Sequence, residues 1–151
     1  MKKFKILLVD DEEDFVKTLA ERLSLKQVGR QLPGVALSGE AALQSLENEV
    51  PDVMVLDLRM PGIDGLEVLK NVKQHYPEVE VVILTGHGSD KDREEAERLG
   101  AFDYLEKPIN IETLVTTIRK ALSQKWDESM VASTFAEAGE FASAKEYLNN
   151  K

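Results

Sequence analysis

At 151 residues, 42% of them hydrophobic, the chain suits one domain with a real core and room for a small appendage. A net charge of −9, from 19 basic and 28 acidic side chains, argues against nonspecific binding to nucleic acid or an anionic membrane, since both reward a basic face. Cysteine is absent, which excludes disulfides, zinc–thiolate sites and thiol nucleophiles, and no apolar run approaches the ~18–20 residues of a membrane span.

Met1-Lys2-Lys3 is followed by only six residues before Asp10-Asp11, too few for the apolar core of a signal peptide. Phe4 to Val9 reads as a first buried strand. It runs into Asp10-Asp11-Glu12-Glu13-Asp14, a succession of acids. Acids favour a helix N-terminus, which accounts for Glu12 to Asp14. Asp10 and Asp11 abut the buried strand, where an uncompensated carboxylate is costly, so they are expected to bind something positive. Phe15, Val16, Leu19, Ala20 and Leu23 form one apolar stripe and predict the first helix. Gly29 to Gly34 is a turn region, and Val35-Ala36-Leu37 a short, weakly signalled second strand. Ser38 is placed to cap the second helix, which carries Ala42, Leu43 and Leu46 and stops before Pro51.

Val53 to Leu56 has the continuous apolar pattern of a strand buried on both faces, and it ends on Asp57. Met60-Pro61-Gly62 cannot continue a central strand. Asp64-Gly65 then precede a helical pattern of Leu66, Leu69 and Val72 that ends near His75-Tyr76-Pro77. Val79 to Leu84 is a fourth strand, ending in Thr85-Gly86-His87-Gly88-Ser89. Ser89 to Leu99 predicts a helix in which acids and bases alternate, either a solvated face or a partner-facing surface. Gly100 stops it. Ala101 to Leu105 supplies a fifth strand, Glu106-Lys107-Pro108 follow, and a last helix turns Leu114, Ile118 and Leu122 inward.

Five strands alternating with five helices predict an α/β fold with a doubly wound parallel sheet and right-handed crossovers. In such a sheet the carboxyl ends of the strands form one rim, where ligands collect. That rim gathers Asp10, Asp11, Asp57, Thr85 and Lys107. Three carboxylates make a hard, oxygen-rich site suited to Mg²⁺. A lysine supplies a fixed cation, a threonine a hydroxyl donor, and Asp57 a carboxylate nucleophile. Phosphoryl transfer asks for this combination of positioning and charge neutralisation.

Four motifs carry a family resemblance over Phe4 to about Ser123: Leu8-Val9-Asp10-Asp11-Glu12, Leu56-Asp57-Leu58-Arg59-Met60-Pro61-Gly62-Ile63-Asp64-Gly65, Leu84-Thr85-Gly86-His87-Gly88, and Gly100-Ala101-Phe102-Asp103-Tyr104-Leu105-Glu106-Lys107-Pro108. The chain resembles the receiver domain of two-component response regulators. The resemblance implies a flavodoxin-like sheet in the order 2-1-3-4-5 with helices on both faces. It implies that Asp57 accepts phosphate from a phosphohistidine on a sensor histidine kinase. Asp10, Asp11 and Asp57 would hold Mg²⁺, with the backbone carbonyl of Arg59 as a further ligand, and Lys107 would serve as the fixed cation. Thr85 and Tyr104 would be a switch pair: phosphorylation draws Thr85 inward, Tyr104 rotates into the space vacated, and the face of the fourth helix, fifth strand and fifth helix changes shape by a shift between pre-existing states. The Lys107–Pro108 bond would be cis. The setting implied is cytoplasmic, with an unidentified downstream protein.

Near the mouth, His87 is either a loop residue without a role or one that steers water, and Arg59 could hinder or admit water. His75, near a helix C-terminus, is not expected to be a phosphohistidine. Two rival functions stand beside the signalling module. A phosphatase with an aspartyl-phosphate intermediate, of haloacid-dehalogenase type, wants an acid two residues after the nucleophile, where this chain has Arg59. A receiver-shaped scaffold that is never phosphorylated would not need the full set of site residues. Dinucleotide binding is disfavoured because the first strand leads into acids and not into a glycine-rich turn.

The receiver is expected over 1–123, leaving 124–151 as a helical tail. Trp126, Met130, Val131, Phe135 and Ala138 fall at roughly helical spacing, Gly139 interrupts, and Phe141, Ala144 and Leu148 resume, the pattern of a short helical hairpin. One such unit cannot bury its apolar face alone. It would pack on its own receiver, on a second copy or on a partner, and a homodimer through the tail or the fourth-helix to fifth-helix face stays open. The tail is too short and too acidic for a DNA-binding helix-turn-helix domain.

Overall fold

Alternation along the strands divides the core in two. In the computed structural model, which describes residues 4–28 and 32–138, with side chains as far as Lys125, the strands are β1 (Ile6–Val9), β2 (Gly34–Ala36), β3 (Val53–Leu56), β4 (Glu80–Thr85) and β5 (Asp103–Glu106). They pair in parallel in the order β2-β1-β3-β4-β5. Leu7, Val9, Met54, Leu56, Val81 and Ile83 point to one face, and Ile6, Leu8, Val53, Val55, Val82 and Leu84 to the other. Both faces are covered, as an all-parallel sheet requires. The first set packs under α2 (Gly39–Leu46), α3 (Gly65–His75) and α4 (Asp90–Arg98), through Ala42, Leu46, Val68, Leu69, Val72 and Ala96. The second packs under α1 (Glu13–Leu25) and α5 (Ile111–Ala138), through Val16, Leu19, Leu23, Leu114, Ile118 and Leu122.

The helix starts follow from local chemistry. Ser38, Asp64 and Ser89 are extended, and their side chains accept the N–H of Ala41, Glu67 and Asp92. At Ser89 the bond is reciprocated, because the Asp92 carboxylate accepts the Ser89 N–H, which makes a capping box. α1 starts at Glu13 with Glu13 and Asp14 in its first turn, as its acids suggest, while Glu12 at the capping position makes no side-chain cap bond and turns to Lys107.

β5 begins two residues later than the apolar run suggests. Gly100 has φ +99°, and the chain joins the sheet only after the Phe102 N–H reaches the Val81 carbonyl. The Lys107–Pro108 bond is cis, as the resemblance implied. α5 is continuous from Ile111 to Ala138, so no separate element starts at 124. It is tied to the amino-terminal edge of the sheet by Lys125, whose Nζ donates to the Glu78 carbonyl at 2.5 Å. The side chains of Trp126, Met130, Val131 and Phe135 and all of 139–151, and with them the second arm of the expected hairpin, lie outside the described residues. Among the described residues no helix is long and apolar enough to cross a membrane.

Candidate functional site

Main-chain bonds carry the sheet one residue past its strand ends and so fix the site. The N–H of Asp10 donates to Ala36 (3.1 Å), that of Asp57 to Val9 (3.0 Å) and that of Lys107 to the Thr85 carbonyl (2.9 Å). Asp10 and Asp57 are buried, Thr85 is fully buried, and Asp11 is exposed on the rim. One carboxylate oxygen from each of Asp10, Asp11 and Asp57 lies within 4.8 Å of the others. Lys107 reaches into this group: its Nζ is 2.6 Å from Asp10 Oδ2, 2.9 Å from Glu12 Oε1 and 3.8 Å from Asp57 Oδ2, and it sits 4.4 Å from the centre of the Phe15 ring.

The charges do not balance. Among the described residues four carboxylates face one ammonium. Burial lifts the Asp10 carboxyl above its usual range against the opposing pull of Lys107 and of the Glu12 N–H, and the Asp57 charge adds to the rise. Burial works against the Lys107 ammonium too, but its bonds to Asp10 and Glu12 outweigh this and raise it. The same lysine holds Glu12 low. Uncompensated negative charge on hard oxygen donors, half-desolvated, fits a small divalent cation.

The loop after β3 is held from both sides. The Ile63 N–H donates to Glu40 Oε2 (3.0 Å), which ties the loop to the first turn of α2. Gly62 adopts φ +82° to make that turn. A Cβ at Gly65 would lie 2.4 Å from the Asp57 carbonyl oxygen and 2.6 Å from Leu58 Cα, so only glycine lets α3 start this close to the strand end. The Arg59 N–H faces Asp57 Oδ1 at 3.4 Å. Its side chain runs across to the loop after β4, where Nε donates to the His87 carbonyl (3.4 Å) and the guanidinium pairs with Asp92. His87 contributes its main chain, its N–H directed at Thr85 Oγ1 (3.3 Å). Tyr104 is buried with its ring inward, beneath the Arg93 guanidinium at 4.9 Å, and its hydroxyl has no hydrogen-bond partner among the described residues. His75 bonds a carbonyl of its own helix, Asn71, and lies away from the rim.

The strand ends thus bring together Asp10, Asp11, Asp57, Thr85 and Lys107. Glu12, Glu40, Asp92 and Gly88 were not singled out by sequence. Glu12 could have been, since a lysine expected at the same rim needs partners. Asp92 stands three residues after Ser89, the capping-box spacing, but nothing along the chain points it at Arg59.

A parallel five-stranded sheet of this order with an acidic cluster and a lysine at its carboxyl rim defines a class, and comparison with known proteins gives the class its family. Residues 6–119 match the response regulator receiver domain, and the chain belongs to that family. Its members are phosphoacceptor signalling modules of two-component systems, bind Mg²⁺ at an aspartate cluster and are phosphorylated by histidine kinases. The DNA-binding transcriptional regulator NtrC of Escherichia coli (strain K12) is 36% identical over 124 residues, which cover 78% of this chain and 25% of NtrC. The receiver domain of NtrX from Brucella abortus superposes with a TM-score of 0.72 at 34% identity, covering 79% of this chain and 98% of that one. A CheY-like receiver from Methanospirillum hungatei JF-1, at 24% identity, shares the fold with a TM-score of 0.79 over 84% of this chain and 99% of its own. The chain spans about a fifth to a third of the length of the curated relatives it matches.

Proposed function

We propose that Asp57 is the phosphoacceptor of a two-component signalling module. The observation that carries this reading is the environment of its carboxylate: 3% exposed at a strand end, with the Lys107 ammonium 3.8 Å away and oxygens of Asp10 and Asp11 within 4.8 Å. An Asp57 Oδ attacks the phosphorus of a phosphohistidine on a sensor kinase. The O–P bond forms as the P–N bond breaks, and the imidazole leaves with its electron pair and takes up a proton. Lys107 turns from Asp10 and Glu12 toward the phosphoryl oxygens, where a fixed cation acts on developing charge. The Thr85 hydroxyl donates to the same group, and with Tyr104 it forms the switch pair that reshapes the face of α4, β5 and α5. Asp10, Asp11 and Asp57, with the Arg59 carbonyl, would hold Mg²⁺, which when bound neutralises charge between acceptor and phosphoryl oxygens.

Residues 1–123 form the receiver in this reading and 124–151 an extension that α5 enters as far as Ala138, and the module works in the cytoplasm on a protein partner. A second copy of the chain, met through the extension or the α4–α5 face, is one such partner. The DNA binding in the name of NtrC belongs to that protein, of which a quarter is matched here. A haloacid-dehalogenase-type phosphatase is disfavoured, because the position two residues past Asp57 is an arginine whose side chain is engaged by Asp92. Incubation with acetyl phosphate and Mg²⁺ tests the reading. The chain is expected to take up one phosphoryl group, and Asp57→Asn to take up none. Undiminished labelling of that variant rejects it.

A further inference from the structure

Arg59 joins three parts of the rim. Its N–H lies against the acceptor carboxylate, its Nε bonds the loop that follows Thr85, and its guanidinium pairs with Asp92 in the first turn of α4. Asp92 is not a free surface acid. Its side chain is 13% exposed, and Oδ2, the oxygen that meets Arg59, also accepts the Ser89 N–H at 3.1 Å, while the Asp92 N–H bonds Ser89 Oγ at 3.1 Å. One carboxylate oxygen therefore serves both the helix cap and the arginine. α4 buries little, since among its residues only Ala96 is buried, and beyond its N-terminus Arg93 bonds the Tyr104 carbonyl. Its N-terminal bonds matter correspondingly more.

From this geometry we infer that Arg59 is a second cationic ligand of the phosphoryl group on Asp57, and that Asp92 holds it in reserve at the cap of α4. The inference rests on Asp57 being the acceptor. A phosphoryl group brings a charge near −2 and several acceptor oxygens, against the single charge of Asp92, and guanidinium binds phosphate in a bidentate fork. The backbone of Arg59 is anchored beside Asp57, so its side chain has only to swing from one anion to the other. The swing leaves Asp92 with Ser89 alone and loosens the first turn of α4. Phosphorylation is thereby reported to the α4 face through a charge exchange, in parallel with any movement of Thr85 and Tyr104.

Opposite effects of two substitutions test this. In labelling by acetyl phosphate with Mg²⁺, Arg59→Ala should raise the acetyl phosphate concentration for half-maximal labelling by about three- to tenfold, as loss of one charge-assisted contact. Asp92→Asn frees the arginine and should lower that concentration, and Arg59→Lys should recover part of the loss. A role confined to holding α4 would move both variants in one direction. Hydrogen exchange at the Asp92 and Arg93 amides should quicken when the wild-type chain is labelled. In Arg59→Ala it should be fast already and unchanged by labelling. If Arg59→Ala labels as the wild type does and its α4 amides still respond, the inference is overturned and the Asp57 reading stands. If the wild-type chain takes up no label, the Asp57 reading falls and this inference with it.

Discussion

The hydroxyl of Tyr104 occupies the space that a side chain at Gly88 would need. A Cβ built on Gly88 falls 1.5 Å from the Tyr104 oxygen and 3.0 Å from Thr85 Cγ2. Glycine at 88 is thus what admits the inward ring, which Arg93 clasps from outside through its position over the ring and a 3.1 Å bond to the Tyr104 carbonyl. Gly88→Ala forces a choice between moving the loop and expelling the ring. Expulsion is expected, at about 1–3 kcal/mol of stability for the overpacked site. Burial pushes the Tyr104 phenol above its ordinary value, with the charges of Asp92 and Glu106 adding to the rise. Ultraviolet titration of the variant should therefore show one tyrosine returning toward a normal pKa. An unaltered titration together with unaltered stability would contradict the fit described.

The same phenol makes stability depend on alkaline pH. Its folded pKa is raised above the unfolded value near 10, so the folded chain keeps the proton longer than the unfolded one. The contribution is fully present below about pH 10 and is lost as pH rises through the folded value. Lys107, also raised, loses its contribution in the same direction above its own unfolded value. The difference between wild type and Tyr104→Phe isolates the tyrosine. Near neutral pH, Tyr104→Phe should be more stable by roughly 1 kcal/mol, because a buried hydroxyl without a partner is removed. Urea unfolding between pH 8 and about 11 should show a shallower alkaline decline in the variant.

Asp11 separates cation binding from folding. It is exposed, whereas Asp10 is buried against Lys107. Mg²⁺ added to the EDTA-treated chain should raise its melting temperature by the linkage that any ligand of the folded state obeys. Asp11→Ala should leave the metal-free melting temperature within about 2 °C of wild type, as a surface change does, and should shrink the Mg²⁺ response several-fold. Asp10→Asn is less clean, because it also disturbs the lysine. A full Mg²⁺ response in Asp11→Ala would remove that residue from the proposed ligand set.

What was legible in the sequence was what depends on neighbours along the chain. β1, β3 and β4 from Val81 to Leu84 are continuous apolar runs because they are covered on both faces, and each leads into a polar residue that the sheet then aligns at one rim. β2 signalled weakly because it is an edge strand of three residues, with Gly34 and Val35 exposed. The pairings that tune the site were not legible. Lys107 and Glu12 lie 95 residues apart and Arg59 and Asp92 lie 33 apart, so neither pair leaves a spacing signal. The alternating charges of α4 read equally as a solvated face or a partner-facing surface, and most of them are exposed; nothing in their pattern shows that Asp92 faces Arg59. Gly88 is one residue of the segment after the fourth strand in the sequence, whereas its use is the room it leaves for a ring sixteen residues on.

Gly65 and Asp64 are neighbours with separable duties at the start of α3. Asp64 caps the helix through the Glu67 N–H at 3.1 Å, so Asp64→Ala should cost about 1 kcal/mol and leave labelling of Asp57 nearly intact. Gly65 instead sets how closely helix and strand approach. Its missing Cβ would meet main-chain atoms of Asp57 and Leu58, which cannot rotate away as a side-chain tip can. Gly65→Ala must push α3 off the strand end or displace the peptide that carries the acceptor. The Gly65 N–H bond to the Leu58 carbonyl, 2.9 Å long, would stretch with either movement. A loss of about 3 kcal/mol is expected, at the upper end for overpacking, with labelling by acetyl phosphate falling at least tenfold in protein that is still folded. Circular dichroism run beside the labelling distinguishes a misplaced acceptor from an unfolded chain. Equal losses of labelling in Asp64→Ala and Gly65→Ala would mean that the helix cap, and not the close approach, positions Asp57.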